Sequence, residues 1–367
     1  MSTVLNSGTS VPTAPSAAPS IKSGFIIGPW ADAILIIGAP ILALLIAAPL
    51  YVLPASQFDV ATRTKTLDLR QVLITVFINA HLFLVFFRSH ANQNIFQLYP
   101  LRFTVVPLSL FLLGAFSPAA LIVLGMATVW WDVYHSSLQT FGFGRIYDAK
   151  QKNDAQAGRS LDYWMNLLVY TGPVLAGAHF IDHLAITTET MRHIPVESGT
   201  LMELFAQRTP DFLKQHQGTM AAIILAVGVP FVLYYLYSYY RLAQQGYRVS
   251  WQKVWLMIIT STVSIYCWGF RSFIDAFWVM NFFHALQYFA IVIFTEKRNL
   301  ARFFRIEWFA YGWALAAFWV ISVSLLYGLW AGYCAEEDGW SMSLVVTTSI
   351  MHFWYDGFIW SVNKKQV

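Results

Sequence analysis

Long apolar stretches recur along this chain, and they constrain its fold more than any other feature. A stretch of about 20 apolar residues is long enough to cross the hydrocarbon core of a bilayer as a helix. Helices satisfy their backbone hydrogen bonds internally, so repeated stretches of this length predict a bundle of transmembrane helices. Ten windows qualify: residues 31–53, 69–89, 103–117, 118–142, 161–182, 218–241, 250–270, 272–295, 309–333 and 341–362.

The composition agrees with an all-α, polytopic membrane protein. The chain is 57% hydrophobic and only 11% charged, whereas soluble domains carry about 25% charged residues. The net charge of +4 is small and spread over many loops, so it indicates membrane topology and predicts no binding of nucleic acid. The two cysteines, Cys267 and Cys334, form no CxxC motif and predict no disulfide framework.

The sequence predicts one transmembrane domain, residues 25–367, after a disordered cytoplasmic tail, residues 1–24. The first 20 residues of the tail carry no charge and are rich in Ser, Thr, Pro and Ala, which is typical of disorder. An outer loop is expected at about 183–217. The window at 103–117 is short and contains Pro107, so a re-entrant segment is the alternative to a full crossing there.

The basic residues predict the orientation of the chain. With ten crossings and a cytoplasmic N-terminus, about two thirds of the 23 Lys and Arg residues fall on the cytoplasmic side. Cytoplasmic loops of membrane proteins carry such an excess of Lys and Arg. We therefore expect both termini in the cytoplasm and a multi-pass protein of the bacterial inner membrane.

Four histidines occur at similar depth in four of the ten windows. His81, His135, His284 and His352 lie in windows two, four, eight and ten, which run in the same direction in this topology. Each precedes the first basic residue at its cytoplasmic end by 7 to 13 residues, or roughly 10–20 Å of helix. Ionisable side chains at this depth normally face the interior of a bundle. We predict that the four are ligands of one metal; interhelical hydrogen bonding and a proton path are the alternatives.

Polar side chains three or four residues from His135 and His284 share the helix faces of these histidines. A histidine that binds a metal usually has its second ring nitrogen hydrogen-bonded to a carboxylate, an amide or a carbonyl. These side chains are therefore expected to line the cofactor and support its ligands. They are Gln139, Asn281, Gln287 and Tyr288.

Three further residues are candidates for a catalytic role. Asp132 lies three residues before His135, and Asp356 lies four residues after His352, so each carboxylate shares a helix face with its histidine. Tyr355 is the third candidate, about 100° around the helix from Asp356.

The role of Asp356 admits two interpretations. As a support for the metal ligand, its carboxylate accepts the ring N–H of His352 that the metal does not use. As a structural residue, it pairs with an arginine near the cytoplasmic rim, Arg88 or Arg145. An unpaired carboxylate in this environment would cost several kcal/mol, so one of the two partners is expected.

The predicted ligands limit which metals the site could hold. Neutral imidazoles with few thiolates suit iron, copper or zinc. Four histidines with carboxylates one shell further out favour a mononuclear non-haem Fe(II) site with open positions for O₂. Alternatives are copper, zinc, haem with two axial histidines, and two metals with Asp132 or Asp356 as a direct ligand. The 29 Phe, 18 Tyr and 15 Trp residues suit a long, lipophilic substrate that enters from the membrane lipids. A haem electron-transfer protein and a proton-coupled transporter are the competing functions.

The histidine-bearing windows resemble the Brp/Blh-type integral-membrane carotenoid dioxygenases. The matching elements are His81, "YHSS" around His135, "FFHALQYF" around His284, and "HFWYD" with His352 and Asp356. The resemblance implies a membrane metalloenzyme, an iron-dependent oxygenase of a lipid-like or carotenoid-like substrate.

Overall fold

The regular secondary structure of the described residues is entirely helical. The computed structural model describes residues 24–47, 69–176, 201–271, 273–335 and 338–360. A π-helix, Asp32–Ile37, follows the first helix. The α-helices are α1 Pro29–Ala31, α2 Ala39–Ala47, α3 Leu69–Phe83, α4 Val85–Ser89, α5 Gln93–Leu98, α6 Pro100–Phe116, α7 Pro118–Lys150, α8 Arg159–Ala176, α9 Leu201–Gln244, α10 Trp251–Phe270, α11 Phe273–Phe303, α12 Gly312–Tyr333 and α13 Gly339–Ile359.

These helices confirm the all-α prediction for the described residues, and every predicted window overlaps a helix or a consecutive pair. Judged by length and apolar composition, five helical stretches could cross a membrane, and the bent segment formed by Pro29–Ile37 and Ala39–Ala47 would be a sixth. The five are Val72–Ser89, Gln215–Gln244, Trp251–Phe270, Asp275–Phe303 and Gly312–Tyr333. They make this a multi-pass membrane protein by composition.

Helix α9 extends through part of the segment predicted as an outer loop. Residues 201–217 belong to one uninterrupted helix of 44 residues that continues through the apolar window. The sequence predicts a short amphipathic helix near 197–207 within this loop, and residues such as Leu, Met, Glu, Ala and Gln favour its continuation into the apolar window. The apolar stretch long enough to cross a membrane begins only at Gln215, so the position of residues 201–214 outside the membrane stays a prediction. The rest of that loop, residues 183–200, and the tail up to residue 23 lie outside the described residues.

Short polar residues start several helices where the apolar windows begin. Ser117 separates α6 from α7, and its hydroxyl accepts the N–H of Ala120 at 3.3 Å, with Pro118 in the first helical turn. Asp338 caps α13 in the same way through the N–H of Ser341. Such caps satisfy backbone donors that a helix start leaves unpaired.

The helices that carry the four histidines meet in one bundle. Helix α11 packs against α3 and α7, and α13 packs against the same two helices. Helix α12 supports α3 from the other side, where Gly328 lies so close to the Val76 carbonyl and Ala80 that a side chain there would overlap backbone atoms. Close packing through a small residue is typical of membrane bundles, and here it fixes the last turn before His81.

Candidate metal centre

The four histidines predicted to be metal ligands lie side by side in the bundle interior. The ring centroids of His81 and His284 are 5.1 Å apart, and those of His81 and His352 are 4.8 Å apart. His135 is 5.0 Å from His284 and 4.7 Å from His352. The exposed fraction of each residue is 3% or less. The structure therefore brings together four imidazoles contributed by α3, α7, α11 and α13.

The backbone is irregular directly after His81. Helix α3 ends at Phe83, and the N–H of Leu84 donates to the His81 carbonyl at 3.2 Å. This i→i−3 bond is tighter than the α-helical pattern. The Nδ1 atom of His81 contacts the Ile78 carbonyl of the preceding turn, which leaves Nε2 directed away from its own helix.

Several ring nitrogens of the cluster are buried without a hydrogen-bond partner among the described protein atoms. They are Nε2 of His81, both ring nitrogens of His284, and Nδ1 of His352. Nε2 of His135 and Nε2 of His352 lie 3.1 Å apart and can share one proton. A buried polar atom without a partner costs about 1–3 kcal/mol, so a cluster of such atoms has the chemistry of a ligand set.

The ring separations distinguish between coordination geometries. With metal–nitrogen bonds of about 2.1 Å, ligand ring centroids lie about 4.5 Å apart at 90°, about 5.2 Å apart in a tetrahedron and about 6.4 Å apart at 180°. Four of the pairs lie between 4.7 and 5.1 Å, and the pair His284–His352 is at 6.1 Å. The set is therefore wider along one axis than a regular tetrahedron.

Two overlapping groups of side chains could hold a metal ion. His81, His284 and His352 form one group, and His135, His352 and Asp356 form the other; within each, the ligand atoms lie within 4.8 Å of one another. His352 belongs to both groups. The arrangement can therefore supply histidine nitrogens alone or add one carboxylate oxygen.

Asp356 lies nearest to a different histidine from the predicted one. Its Oδ2 atom is 3.7 Å from Nε2 of His135, while Oδ1 accepts the hydroxyl of Tyr288 and the indole N–H of Trp360, each at 2.9 Å. Among the described hydrogen bonds none joins Asp356 to His352. The donors Tyr288 on α11 and Trp360 at the end of α13 hold the carboxylate beside His135, and His352 on its own helix lies further away.

The alternative arginine partners of Asp356 are engaged elsewhere. Arg88 forms a buried ion pair with Glu296, and its guanidinium lies 4.2 Å from the ring of Trp360. Arg145 pairs with Asp148 and another carboxylate of the bundle. Arg88 and Asp356 both contact the indole of Trp360, and their charges interact. Sequence reasoning missed the partner Glu296 because this residue directly follows an apolar window.

Asp132 and Asn281 occupy neighbouring positions outside the ligand groups. The Asp132 carboxylate hydrogen-bonds the Asn281 side chain, and Asn281 Nδ2 also donates to the Phe277 carbonyl at 3.1 Å. Each lies three residues before its histidine, one turn toward the start of α7 or α11. The pair joins the two helices beside the cluster, and neither residue belongs to a metal-ligand group.

The two glutamines bind backbone and each other. Gln139 Nε2 donates to Gln287 Oε1 at 2.9 Å and to the His284 carbonyl at 3.1 Å. Gln287 Nε2 donates to the Ile36 carbonyl of the π-helix at 2.7 Å. These contacts fix the backbone that carries His284, whereas the sequence had suggested contacts to the cofactor.

The two candidate tyrosines have different surroundings. The ring of Tyr288 lies 4.5 Å from the ring of His352, beside the cluster. Tyr355 faces α6, where its hydroxyl donates to the Arg102 carbonyl at 3.0 Å and its ring packs on Phe103. The rotation of about 100° per residue directs Tyr355 to this other neighbour, so the structure does not bring it to the histidines.

A second buried polar cluster, absent from the sequence predictions, joins α7, α8 and α10. We call it the four-charge network: Arg145, Asp148, Asp162 and Lys253. Lys253 Nζ lies 2.8 Å from Asp148 and 2.6 Å from Asp162, and Arg145 lies 2.8 Å from both. The sequence feature that could have predicted this network is the presence of charged residues at the ends of apolar windows.

The loop residue Tyr247 extends the four-charge network. Its hydroxyl contacts Asp148 and lies 3.3 Å from Lys253 Nζ. Burial, with the hydrogen bond and the negative charge of Asp148, raises the pKa of Tyr247 above its usual value of 10.0. The phenol is thus held in its neutral form as a donor.

A cavity of about 410 Å³ opens beside the histidines. His135, Tyr288 and Asp356 line one end, and Leu138 and Phe353 are among the apolar residues of its wall. Of the four histidines, His135 is therefore the one that faces this space.

Comparisons with protein-family models, with curated proteins and with solved structures found no match.

Proposed function

We propose that this chain is an integral-membrane oxygenase that holds a non-haem iron ion on His81, His135, His284 and His352 and acts on a lipophilic substrate. The observation that carries the proposal is the set of buried ring nitrogens for which the described residues supply no hydrogen-bond partner. Four imidazoles at ligand spacing satisfy one another poorly, because a neutral ring has one donor and one acceptor. A shared ion would satisfy them together.

The ring geometry argues against a closed structural zinc site and against haem. A structural zinc site is a closed tetrahedron, whereas the His284–His352 separation of 6.1 Å fits a wider angle and open positions. Haem would need its porphyrin plane between two axial rings, and the rings of His81 and His135 fill that space. When bound, iron in such a site supplies activation of O₂ for oxygenation.

The protein residues around the ligands have definable tasks. Asp356, 3.7 Å from His135, can restrain that imidazole, and Tyr288 holds the carboxylate in place. The glutamine pair fixes the backbone of His284. The apolar cavity wall keeps bulk water away from the reacting end of the substrate.

The proposed setting is a bacterial inner membrane crossed ten times, with both termini in the cytoplasm. Helices or helix pairs overlap each of the ten apolar windows, although only five or six of these helical stretches are long and apolar enough by themselves to cross a membrane. The excess of basic residues on one side supports the orientation. Reporter fusions after residue 152 and within 195–210 should report opposite sides of the membrane. The resemblance to Brp/Blh-type dioxygenases supports a carotenoid-like or other lipid substrate.

Metal analysis of the purified protein tests the proposal. We expect about one iron per chain, an absorption spectrum without a Soret band, and loss of most of the metal in His81→Ala, His135→Ala, His284→Ala or His352→Ala. His90→Ala is the matched control: both ring nitrogens of His90 already bond Ser89 and the Phe103 carbonyl. Equal metal content in all five variants would contradict the proposal.

A further inference from the structure

The cavity beside the histidines follows one face of α7. His135, Gln139, Gly142, Ile146 and Ala149 line it, and their spacing places them in one stripe along about 21 Å of helix. A cavity of this length and of about 410 Å³ is shaped for one extended chain. Binding pockets of small molecules have comparable volumes, about 300–1,000 Å³.

Two glycines keep the cavity open. A Cβ added at Gly142 of α7 or at Gly357 of α13 would meet no heavy atom within 4 Å. Both residues line the cavity, so a larger side chain at either position has space to enter it. The space next to both helices thus depends on the absence of two side chains.

The part of the cavity away from the histidines is polar and positive. Arg159, at the start of α8, and Asn153 line that part. Arg159 is exposed, and its guanidinium lies 5.4 Å from the centroid of Phe141. Among the described residues no carboxylate is within ion-pair distance of Arg159, whereas Arg145 is already paired with Asp148 and Asp162.

We infer that the cavity binds a long-chain carboxylate, with its head group at Arg159 and its hydrocarbon chain along α7 toward His135 and Asp356. A guanidinium without an anionic partner matches a carboxylate, and the apolar wall matches a single alkyl or alkenyl chain. Binding of this ligand is inferred independently of the proposed function; its role as the substrate rests on that function.

The position of Arg159 also limits where such a chain would react. Its guanidinium lies near Phe141, and Phe141 is six residues from His135, or about 9 Å along the helix. The carbon nearest to the histidines is therefore several bonds away from the carboxylate. The expected modification lies within the chain and not next to its head group.

Photolabelling of the full-length protein tests this inference without any turnover. The probes are an 18-carbon fatty acid with a diazirine in mid-chain and the alcohol with the same chain. We expect the acid to label peptides of α7 and α13, and Arg159→Gln to reduce that labelling about tenfold while labelling by the alcohol stays the same. Arg159→Lys should restore part of it.

Cavity-filling variants supply the second arm. Gly142→Leu and Gly357→Leu should each abolish labelling by the acid. Gly125→Leu is the matched control, because a side chain at Gly125 on the same helix also meets open space but outside this cavity. Labelling by the acid that survives both cavity variants would overturn the inference. The same holds if the ratio of acid labelling to alcohol labelling is equal in Arg159→Gln and in wild type.

The experiment separates this inference from the proposed iron site. Labelling is measured before and after treatment with a chelator, next to the metal content of the same sample. A protein that labels as expected but holds no iron supports the ligand and contradicts the oxygenase. A protein that holds iron but shows no carboxylate-dependent labelling supports the iron site and contradicts the carboxylate ligand.

Discussion

Two buried polar clusters lie in this bundle, and they differ in how completely their atoms are paired. In the four-charge network, Arg145 and Lys253 each contact the same two carboxylates, Asp148 and Asp162. In the histidine cluster, buried ring nitrogens have no partner among the described protein atoms. In a closed network the buried charges neutralise one another, so none of them is left uncompensated. An open cluster lowers the stability of the ligand-free protein because its buried polar atoms are unpaired. Such a cost is typical of a binding site.

The difference predicts opposite responses to the loss of one member. Removing a charge from the closed network leaves the remaining charges buried and unbalanced, which is expensive. Removing an imidazole from the open cluster removes a polar group that the metal-free protein does not satisfy. The comparison fails if the two clusters respond alike.

The largest effect is expected for Lys253→Met. The substitution leaves Asp148 and Asp162 with Arg145 as their one remaining cation among the described residues, at a cost of about 3–5 kcal/mol in the free energy of unfolding. Chemical denaturation in detergent measures it, with Arg298→Met as control, because Arg298 is exposed and should change stability by less than about 0.5 kcal/mol. The metal content of the folded Lys253→Met fraction should equal that of wild type.

The next effect concerns the carboxylate beside the open cluster. Asp356→Asn keeps an acceptor for Tyr288 but removes the charge near His135, and a change of this kind costs about 10–100-fold in metal affinity. Titration of the metal-free protein with Fe(II) under anaerobic conditions gives the value. If the variant binds iron as well as wild type and is only less heat-stable, Asp356 serves the fold alone.

A smaller effect of opposite sign is expected for His284→Leu in metal-free protein. Both ring nitrogens of His284 lack partners within the described part of the chain, so replacing them with an apolar side chain should leave stability unchanged or raise it by about 1–2 kcal/mol. Thermal unfolding after chelation measures this. A loss as large as that of Lys253→Met would show that the histidines pair with one another and that the cluster is closed.

The smallest effect is expected for Tyr247→Phe. It removes a hydrogen bond to Asp148 and should cost about 1 kcal/mol at neutral pH. Because the folded protein holds the pKa of Tyr247 above 10.0, the unfolded chain ionises first, and the wild-type stability from this group is lost as the pH rises above 10. The gap between wild type and variant should therefore narrow above pH 10, and a constant gap would contradict this account.

The sequence predicted part of the histidine site, and the limits of that prediction have a physical origin. The similar depth of the four histidines follows from window length and helical rise, which are local properties. The partner of Asp356 depends on how α7, α11 and α13 are rotated against one another. Spacing along α13 pointed to His352, but the donors Tyr288 and Trp360 set the carboxylate beside His135.

By itself, the sequence determined the all-α class, the apolar windows and the histidines that share one depth, because hydropathy and helical periodicity act over one helix at a time. Only the tertiary structure decided which faces meet: the ion pair of Arg88 with Glu296 joins residues 208 positions apart, and Tyr355 turns to α6. Contacts between helices depend on their rotation and close approach, and spacing within one helix carries no information about either.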